Sequence, residues 1–552
     1  MCTKLIDPNV KLERTFDNIR AWLKGCDPRH ARCQVQEAEH FLNPNKKPAF
    51  LLDVAILGSN RNTIRLRRKP DTSLTYAALS YCWGTTQPSA LRNANISTYL
   101  ADGIRLETLP QSIKDAVEVT RKLQLRYLWV DALCIVQDDE HAKLVEIGKM
   151  DSIYRRAYIT ILASCAKTCL EGFLQDREPA KDDFEVAISC PNGETGVIRM
   201  DPGHYSRRHH EFEHPLEKRA WAFQEQFMSR RLLVFNKHQI VWGCVEKRGQ
   251  DDGKKDQQRI FGYQFSSRTI SSPTAGDWVS VVYQFSSKSL TDPMDKLPAI
   301  SSIAEYFSKH KLGRYLAGLW EEKLPAWLCW SPHSERSAAV ERPLEWRAPS
   351  WSFFSVDGVI VYSHSISNKY GKFSGPMIKM EDCTITPISE SAPFAKLSAA
   401  ELRIRGPLTE VRIARPRYGR FKSDRPKKAF SLLLYVEGDS ERRFGDVTFD
   451  TLETSSELQY LLTVHSNHGE LSVGCTTQLW CLPCLYSKSQ TTRTTTYSTG
   501  LITKETETEW DFSGLILARL PNGKYHRIGL FSIWQESHPV FFKLPSQSIT
   551  IV

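Results

Sequence analysis

The chain has no apolar run long enough to cross a membrane. Nowhere in its 552 residues does a segment approach the roughly 18 uninterrupted apolar residues that a spanning helix needs. The N-terminal stretch Met1-Cys-Thr-Lys-Leu-Ile-Asp-Pro8 lacks the apolar core of a secretory signal. Cysteine is sparse, 14 in the whole chain, which excludes a disulfide-stapled scaffold. Cys82, Cys134 and Cys244 sit in apolar runs, as free buried thiols do. A reducing, cytoplasmic setting is expected. No sign of charge dominates: the net charge is +10, mildly basic for this length and no reason to expect nucleic acid. The densest basic stretch, Arg412 to Lys428, is laced with Pro and Gly and reads as a solvated loop before a patch for acidic lipid or RNA. There are no tandem repeats, no phosphate-binding Gly-x4-Gly-Lys loop and no Gly-x-Ser-x-Gly elbow, so ATPase and α/β-hydrolase chemistry have no support.

What is present is an ordinary globular composition, 41% hydrophobic and 25% charged, in a chain long enough for several domains. Residues 1–50 are a lead-in, in which Phe16 to Cys26 predicts a short amphipathic helix with Ile19, Trp22 and Leu23 on one face. A strand is expected from Phe50 to Leu57. From Tyr76 strands and helices alternate. Tyr76–Cys82 predicts a strand. Pro110 opens a helix whose apolar face holds Ile113, Ala116, Val117, Thr120 and Leu123. Tyr127–Val136 is a near-continuous apolar run, read as a strand buried on both faces. Leu144, Ile147, Asp151 and Tyr154 keep a helical period, Tyr158–Ala163 is a third strand, and Leu232–Asn236 with Gln239–Cys244 predicts a hairpin. This alternation predicts an α/β domain over residues 51–245 built on a mostly parallel sheet with flanking helices. Residues 246–375 are expected to be a helical and mixed middle region, opening on a polar, mobile insertion at 246–275. Residues 376–552 read as a β-rich module of short strands. Its Ser487–Glu509 stretch, rich in Thr and Ser, is assigned no structure.

Ligands of parallel α/β sheets bind beyond the carboxyl ends of the strands. Tyr76-Ala-Ala-Leu-Ser-Tyr-Cys-Trp-Gly84 ends a predicted strand at such a place. In Arg219-Ala-Trp-Ala-Phe-Gln-Glu225 the four-residue spacing puts Trp221 and Glu225 on one helix face, where an indole could wall a charge. Asp131 is a lone acid in an apolar run, so burial is expected to raise its pKa unless donors hold it ionised. Each also has a structural reading: a packed ring beside a capping or solvated acid, and a buried aspartate that caps a helix or pairs with an arginine.

Three motifs, Tyr76 to Gly84, Leu128-Trp-Val-Asp-Ala-Leu-Cys-Ile-Val-Gln137 and Arg219 to Glu225, together resemble the fungal heterokaryon-incompatibility (HET) domain. Leu109-Pro110, Glu146 to Tyr154, Leu290 to Pro298 and Arg347 to Ser352 strengthen the resemblance. It implies a role in non-self recognition and programmed cell death. HET domains in turn are similar to TIR-type domains, which share a strand ending in Ser-Tyr and a Trp-x-x-x-Glu step. That likeness implies a TIR-like fold with NAD as a substrate rather than a cofactor. It gives Glu225 the catalytic place, with Ser80, Tyr81, Trp83, Gly84, Asp131, Arg219 and Trp221 around the substrate. The gap between Ala163 and Trp221 is long for a compact TIR-type domain. Two functions stay open: an NAD glycohydrolase, and a non-enzymatic signalling or death module that acts by self-association or by binding a protein partner.

Other patterns are set aside. His210-Glu-Phe-Glu-His214 has zinc-protease spacing, but Pro215 disfavours helix at His214, and Glu213 puts a charge where such helices are apolar. Cys26, His30 and Cys33, with His40 as a fourth, have ligand-like spacing. A complete structural zinc site usually shows two such pairs, so ordinary thiols are preferred and no metal is expected. Cys481-Leu-Pro-Cys484 reads as a buried thiol pair rather than a redox motif.

Overall fold

The computed structural model describes residues 9–26, 30, 33, 46–55, 61–68, 74–177, 184–189, 195–200, 214–244, 248–250, 273–333, 340–362, 375–414, 430–434, 442–451, 479–496, 502–536 and 540–552. The chain divides into two compact units. The first comprises Met1–Pro273, Lys288–Tyr306 and Ser389–Ala395; the second comprises Thr274–Ser287, Phe307–Ile388 and Lys396–Val552.

In the first unit eleven strands are described: β1 Phe50–Asp53, β2 Thr63–Arg68, β3 Tyr76–Ser80, β4 Ile104–Arg105, β5 Tyr127–Trp129, β6 Ile159–Ala163, β7 Phe184–Ser189, β8 Thr195–Met200, β9 Arg231–Phe235, β10 Ile240–Cys244 and β11 Arg248–Gln250. Nine form one sheet in the order β11-β10-β9-β6-β3-β5-β1-β2-β4, and β7 pairs with β8 apart from it. The expected mostly parallel sheet is in fact mixed. Only β5, β3, β6 and β9 run parallel to one another. Antiparallel partners flank this core: β1, β2 and β4 on one side, β10 and β11 on the other.

The central strand shows why it lies where it does. All five residues of β3 are buried, and Ala77 and Ala78 pair with strands on both sides. Pairing on both edges and burial on both faces suit a run without charge. Tyr76 donates from its hydroxyl to the Ile153 carbonyl at 2.6 Å, and Tyr154 to the Leu79 carbonyl at 3.2 Å. These bonds tie the helix Met150–Arg156 across the strand.

Two predicted elements break where the apolar pattern continues. The run 127–136 is strand only to Trp129. Asp131 then opens a short helix, Asp131–Cys134, and its carboxylate accepts from the Ala132 amide at 2.7 Å. An acidic side chain at a helix start satisfies an otherwise orphaned N–H. The single helical period from Leu144 to Tyr154 is two helices, Glu140–Ile147 and Met150–Arg156, separated at Gly148 and Lys149. The predicted helix after Pro110 is present as Gln111–Lys122, and the N-terminal helix spans Glu13–Cys26 with Phe16, Ile19 and Leu23 buried. The region 251–272, within the expected insertion, lies outside the described residues, whereas β11 extends the sheet from 248 to 250.

The second unit is built on a ten-stranded sheet. The Thr- and Ser-rich segment left without structure is part of it: Leu479–Thr496 and Ile502–Arg519 pair antiparallel from end to end. β-branched threonine suits a pleated strand even without an apolar face. Of the described α-helices between residues 273 and 333, Ala275–Ser286 and Leu324–Trp327 belong to this unit, while Pro298–Ser308 lies mostly in the first. At the centre of this unit Arg527 is fully buried and bonds both carboxylate oxygens of Asp450 at 3.0 Å. Its guanidinium also donates to the carbonyls of Leu328 and Trp330. Cys481 and Cys484 are buried free thiols. No described helix is long and apolar enough to cross a membrane.

Candidate functional site

The helix Ala220–Met228 is buried on nearly every side; Trp221 alone is half-buried. Ala222 packs with Leu162 of β6 and with Leu232 and Val234 of β9. The helix C-terminus is pinned to the sheet by the Ser229 hydroxyl, which lies 2.6 Å from the hydroxyl of Thr160 and donates to the Glu225 carbonyl at 2.7 Å. Glu225 is thereby held inside the unit, only 4% exposed.

Burial is the main cause that raises the Glu225 carboxyl to about 7, and the negative charge of Asp131 adds to it. The positive charge of Arg219 and the hydroxyls of Ser80 and Tyr154 work the other way. Ser80 is the last residue of β3, and Asp131 follows two residues after β5 ends. The carboxylate therefore faces the carboxyl ends of the parallel strands, where ligands of such sheets bind.

The same corner holds the other predicted residues. Arg219 precedes the helix in extended conformation and donates to the Tyr81 carbonyl, which ties the helix start to the end of β3. Among the described residues no ion pair closes on Glu225. Asp131 is half-buried; its second oxygen accepts from the Trp83 indole at 2.9 Å. Burial raises the Asp131 pKa, opposed by Arg219, the Ala132 amide, Trp83 and Tyr81. The Tyr81 hydroxyl accepts from the Gln87 amide, and burial pushes its pKa well up. Gly84 takes φ +76°, and a Cβ there would come within 2.9 Å of the Thr168 side chain. Only glycine turns the chain there without strain.

Trp221 departs from expectation. It shares a helix with Glu225, but its indole donates to Asp295 at 3.3 Å. Asp295 lies in the Leu290 to Pro298 motif, whose Ser289 neighbour exchanges backbone hydrogen bonds with Lys218 and Ala220. Trp221 thus anchors the helix to that segment. Tyr154 was not among the predicted site residues. Its signal was present, because it closes the Glu146 to Tyr154 motif, but helical periodicity alone made it a core residue. Of the zinc-protease pattern, His210 to Glu213 lie outside the described residues.

Residues 76–225 match the model of the heterokaryon incompatibility protein family (HET). This stretch is similar to the HET domain. The match opens on the first residue of β3 and closes on Glu225, so it spans the elements that carry Ser80, Tyr81, Trp83, Asp131, Tyr154 and Arg219. The HET domain connects the chain to a heterokaryon-incompatibility-type role. No curated protein and no solved structure matches the chain.

Proposed function

We propose that this chain is an effector of fungal non-self recognition and programmed cell death whose HET domain hydrolyses NAD at a TIR-like site. One observation supports this above the rest: a buried carboxyl with its pKa raised to about 7 stands with the Arg219 guanidinium, the Asp131 carboxyl and the Ser80 and Tyr154 hydroxyls at the strand ends. Such displaced pKa values gather where chemistry is done.

In the reaction proposed, the bond between the ribose carbon and the nicotinamide nitrogen breaks. Its electron pair leaves with the ring, which becomes neutral nicotinamide. The ribosyl carbon becomes oxocarbenium-like, and water adds to it and gives up a proton. Ionised Glu225 stabilises the developing cation. Ser80 and Tyr154 lie beside the carboxylate, and Tyr81, Trp83, Gly84 and Asp131 flank the nicotinamide riboside. Arg219 offsets the paired acids.

The test incubates the purified full-length chain with NAD and measures nicotinamide release. Wild type is expected to release it, and Glu225→Gln, folded by circular dichroism, to lose at least 100-fold of the rate, about 3 kcal/mol of transition-state stabilisation. An inactive wild type, at low and high protein concentration alike, would sink the enzymatic reading. The near-complete burial of Ser80, Tyr81 and Glu225 favours a second reading, in which these residues hold the core of a non-enzymatic module that signals by self-association or partner binding. Under that reading the chain is toxic in a fungal host and remains so with Glu225→Gln. Under the first, the substitution relieves toxicity.

A further inference from the structure

Cys26, His30, Cys33 and Cys244 meet in one buried cluster. One ligand-capable atom from each lies within 4.8 Å of all the others. The four side chains are between 0% and 4% exposed, and the three cysteines are free thiols. The Cys244 sulfur is 3.4 Å from His30 Nδ1. Cys26 ends the helix Glu13–Cys26, His30 and Cys33 follow it, and Cys244 ends β10. The sequence shows only the first pair of a zinc site because the fourth ligand comes from the far end of the sheet. His40, the fourth candidate by spacing, lies outside the described residues.

We infer that this cluster is a structural Zn²⁺ site with three thiolates and one imidazole as ligands. Tetrahedral zinc places its ligands about 2.0–2.3 Å from the metal, hence somewhat under 4 Å from one another. The cluster needs only a small contraction to reach that. One further observation supports an ion here rather than thiol packing. Arg231, 3% exposed, directs its guanidinium Nε to the Cys26 sulfur at 3.3 Å, stacks over Tyr158 and is the cross-strand neighbour of Cys244. Zinc with three thiolates and a neutral imidazole carries one net negative charge, which a buried arginine neutralises. Beside neutral thiols the same cation would be desolvated with little return. The site would clamp the N-terminal helix to the β9–β10 hairpin of the first sheet, an attachment otherwise made by contacts such as Trp22 against Trp242 at 6.1 Å.

The full-length chain, purified under reducing conditions without chelator, is expected to contain about one zinc per molecule by elemental mass spectrometry. After exchange, Co²⁺ is expected to give the intense visible bands of a tetrahedral thiolate site. Cys244→Ser should lower zinc content to near zero, Cys169→Ser should leave it unchanged, and Cys244→His should keep the metal with shifted cobalt bands. A folded, reduced wild type that takes up neither Zn²⁺ nor Co²⁺ overturns the assignment. So does full zinc content in Cys244→Ser. Should Cys244→Ser fail to fold, the cobalt titration of wild type decides alone.

Discussion

At the scale of single residues, Glu225 makes the sharpest statement. Its carboxyl stands at about 7 in the folded chain against an ordinary glutamate value of 4.5. The native state therefore holds a proton that the unfolded chain has released between those values. Stability is fully present below the lower value and is lost as pH rises through the upper one. Glu225→Gln removes that loss. The variant is expected to exceed wild type in stability above pH 7 by up to about 3 kcal/mol, the linkage equivalent of such a shift. The difference should close as pH falls toward the unfolded value, which thermal melts across that range will show. If the ionised carboxylate stabilises the transition state, nicotinamide release should rise with pH through the same midpoint near 7. A flat pH–rate profile would separate Glu225 from the chemistry.

At the scale of elements, the helix Ala220–Met228 and the strands beneath it behave as one device. The Thr160 and Ser229 hydroxyls, 2.6 Å apart and buried, fasten the helix end to β6. Ser229→Ala strands the Thr160 hydroxyl and is expected to cost about 1–3 kcal/mol. Adding Thr160→Val removes both partners and should recover part of that loss, a coupling that chemical denaturation of the two single variants and the double variant measures. Some elements were legible in the sequence for physical reasons. The helix after Pro110 and the hairpin of β9 and β10 carry a clean period and clear ends. The motif at Ser80 and Tyr81 ends a strand unmistakably. Asp131 was legible as a hydrogen-bonded acid but not as a half-buried one at a helix start, because an unbroken apolar run looks the same in a strand and in a strand followed by a short helix. Tyr154 and Asp295 were missed as partners of the Glu225 helix because no local pattern encodes which side chains meet across a sheet.

At the scale of the whole molecule, the class of the fold was readable and its mixture was not. Alternating strands and helices from Tyr76 announced an α/β domain, and short apolar runs after residue 375 announced a β-rich unit. The antiparallel strands at the flanks of the first sheet carry no signal of their direction, since direction depends on connection and not on composition. Arg527 and Asp450 likewise gave no sign of pairing across their sequence separation, yet both are buried together. Asp450→Asn leaves a cation without its counter-charge and is expected to cost about 3–5 kcal/mol, visible as a lowered melting temperature.

The ends of the two sheets bear on how copies of this chain could meet. The first sheet stops at β4 and β11, strands of two and three residues. The second stops at Gly375–Pro376 on one side and at Lys379–Pro387 on the other. That last strand is long, but it alternates charged side chains outward, slips register twice and finishes on a proline. Short, charged, kinked and proline-tipped borders offer a neighbouring chain no continuous row of free amides and carbonyls to zip onto. Strand-on-strand templating is thus disfavoured at these four strands, whereas the outer edges of β7 and β8 and of the distal part of the Leu479–Thr496/Ile502–Arg519 hairpin pair with no third described strand, so a second chain that added a strand would have to add it there.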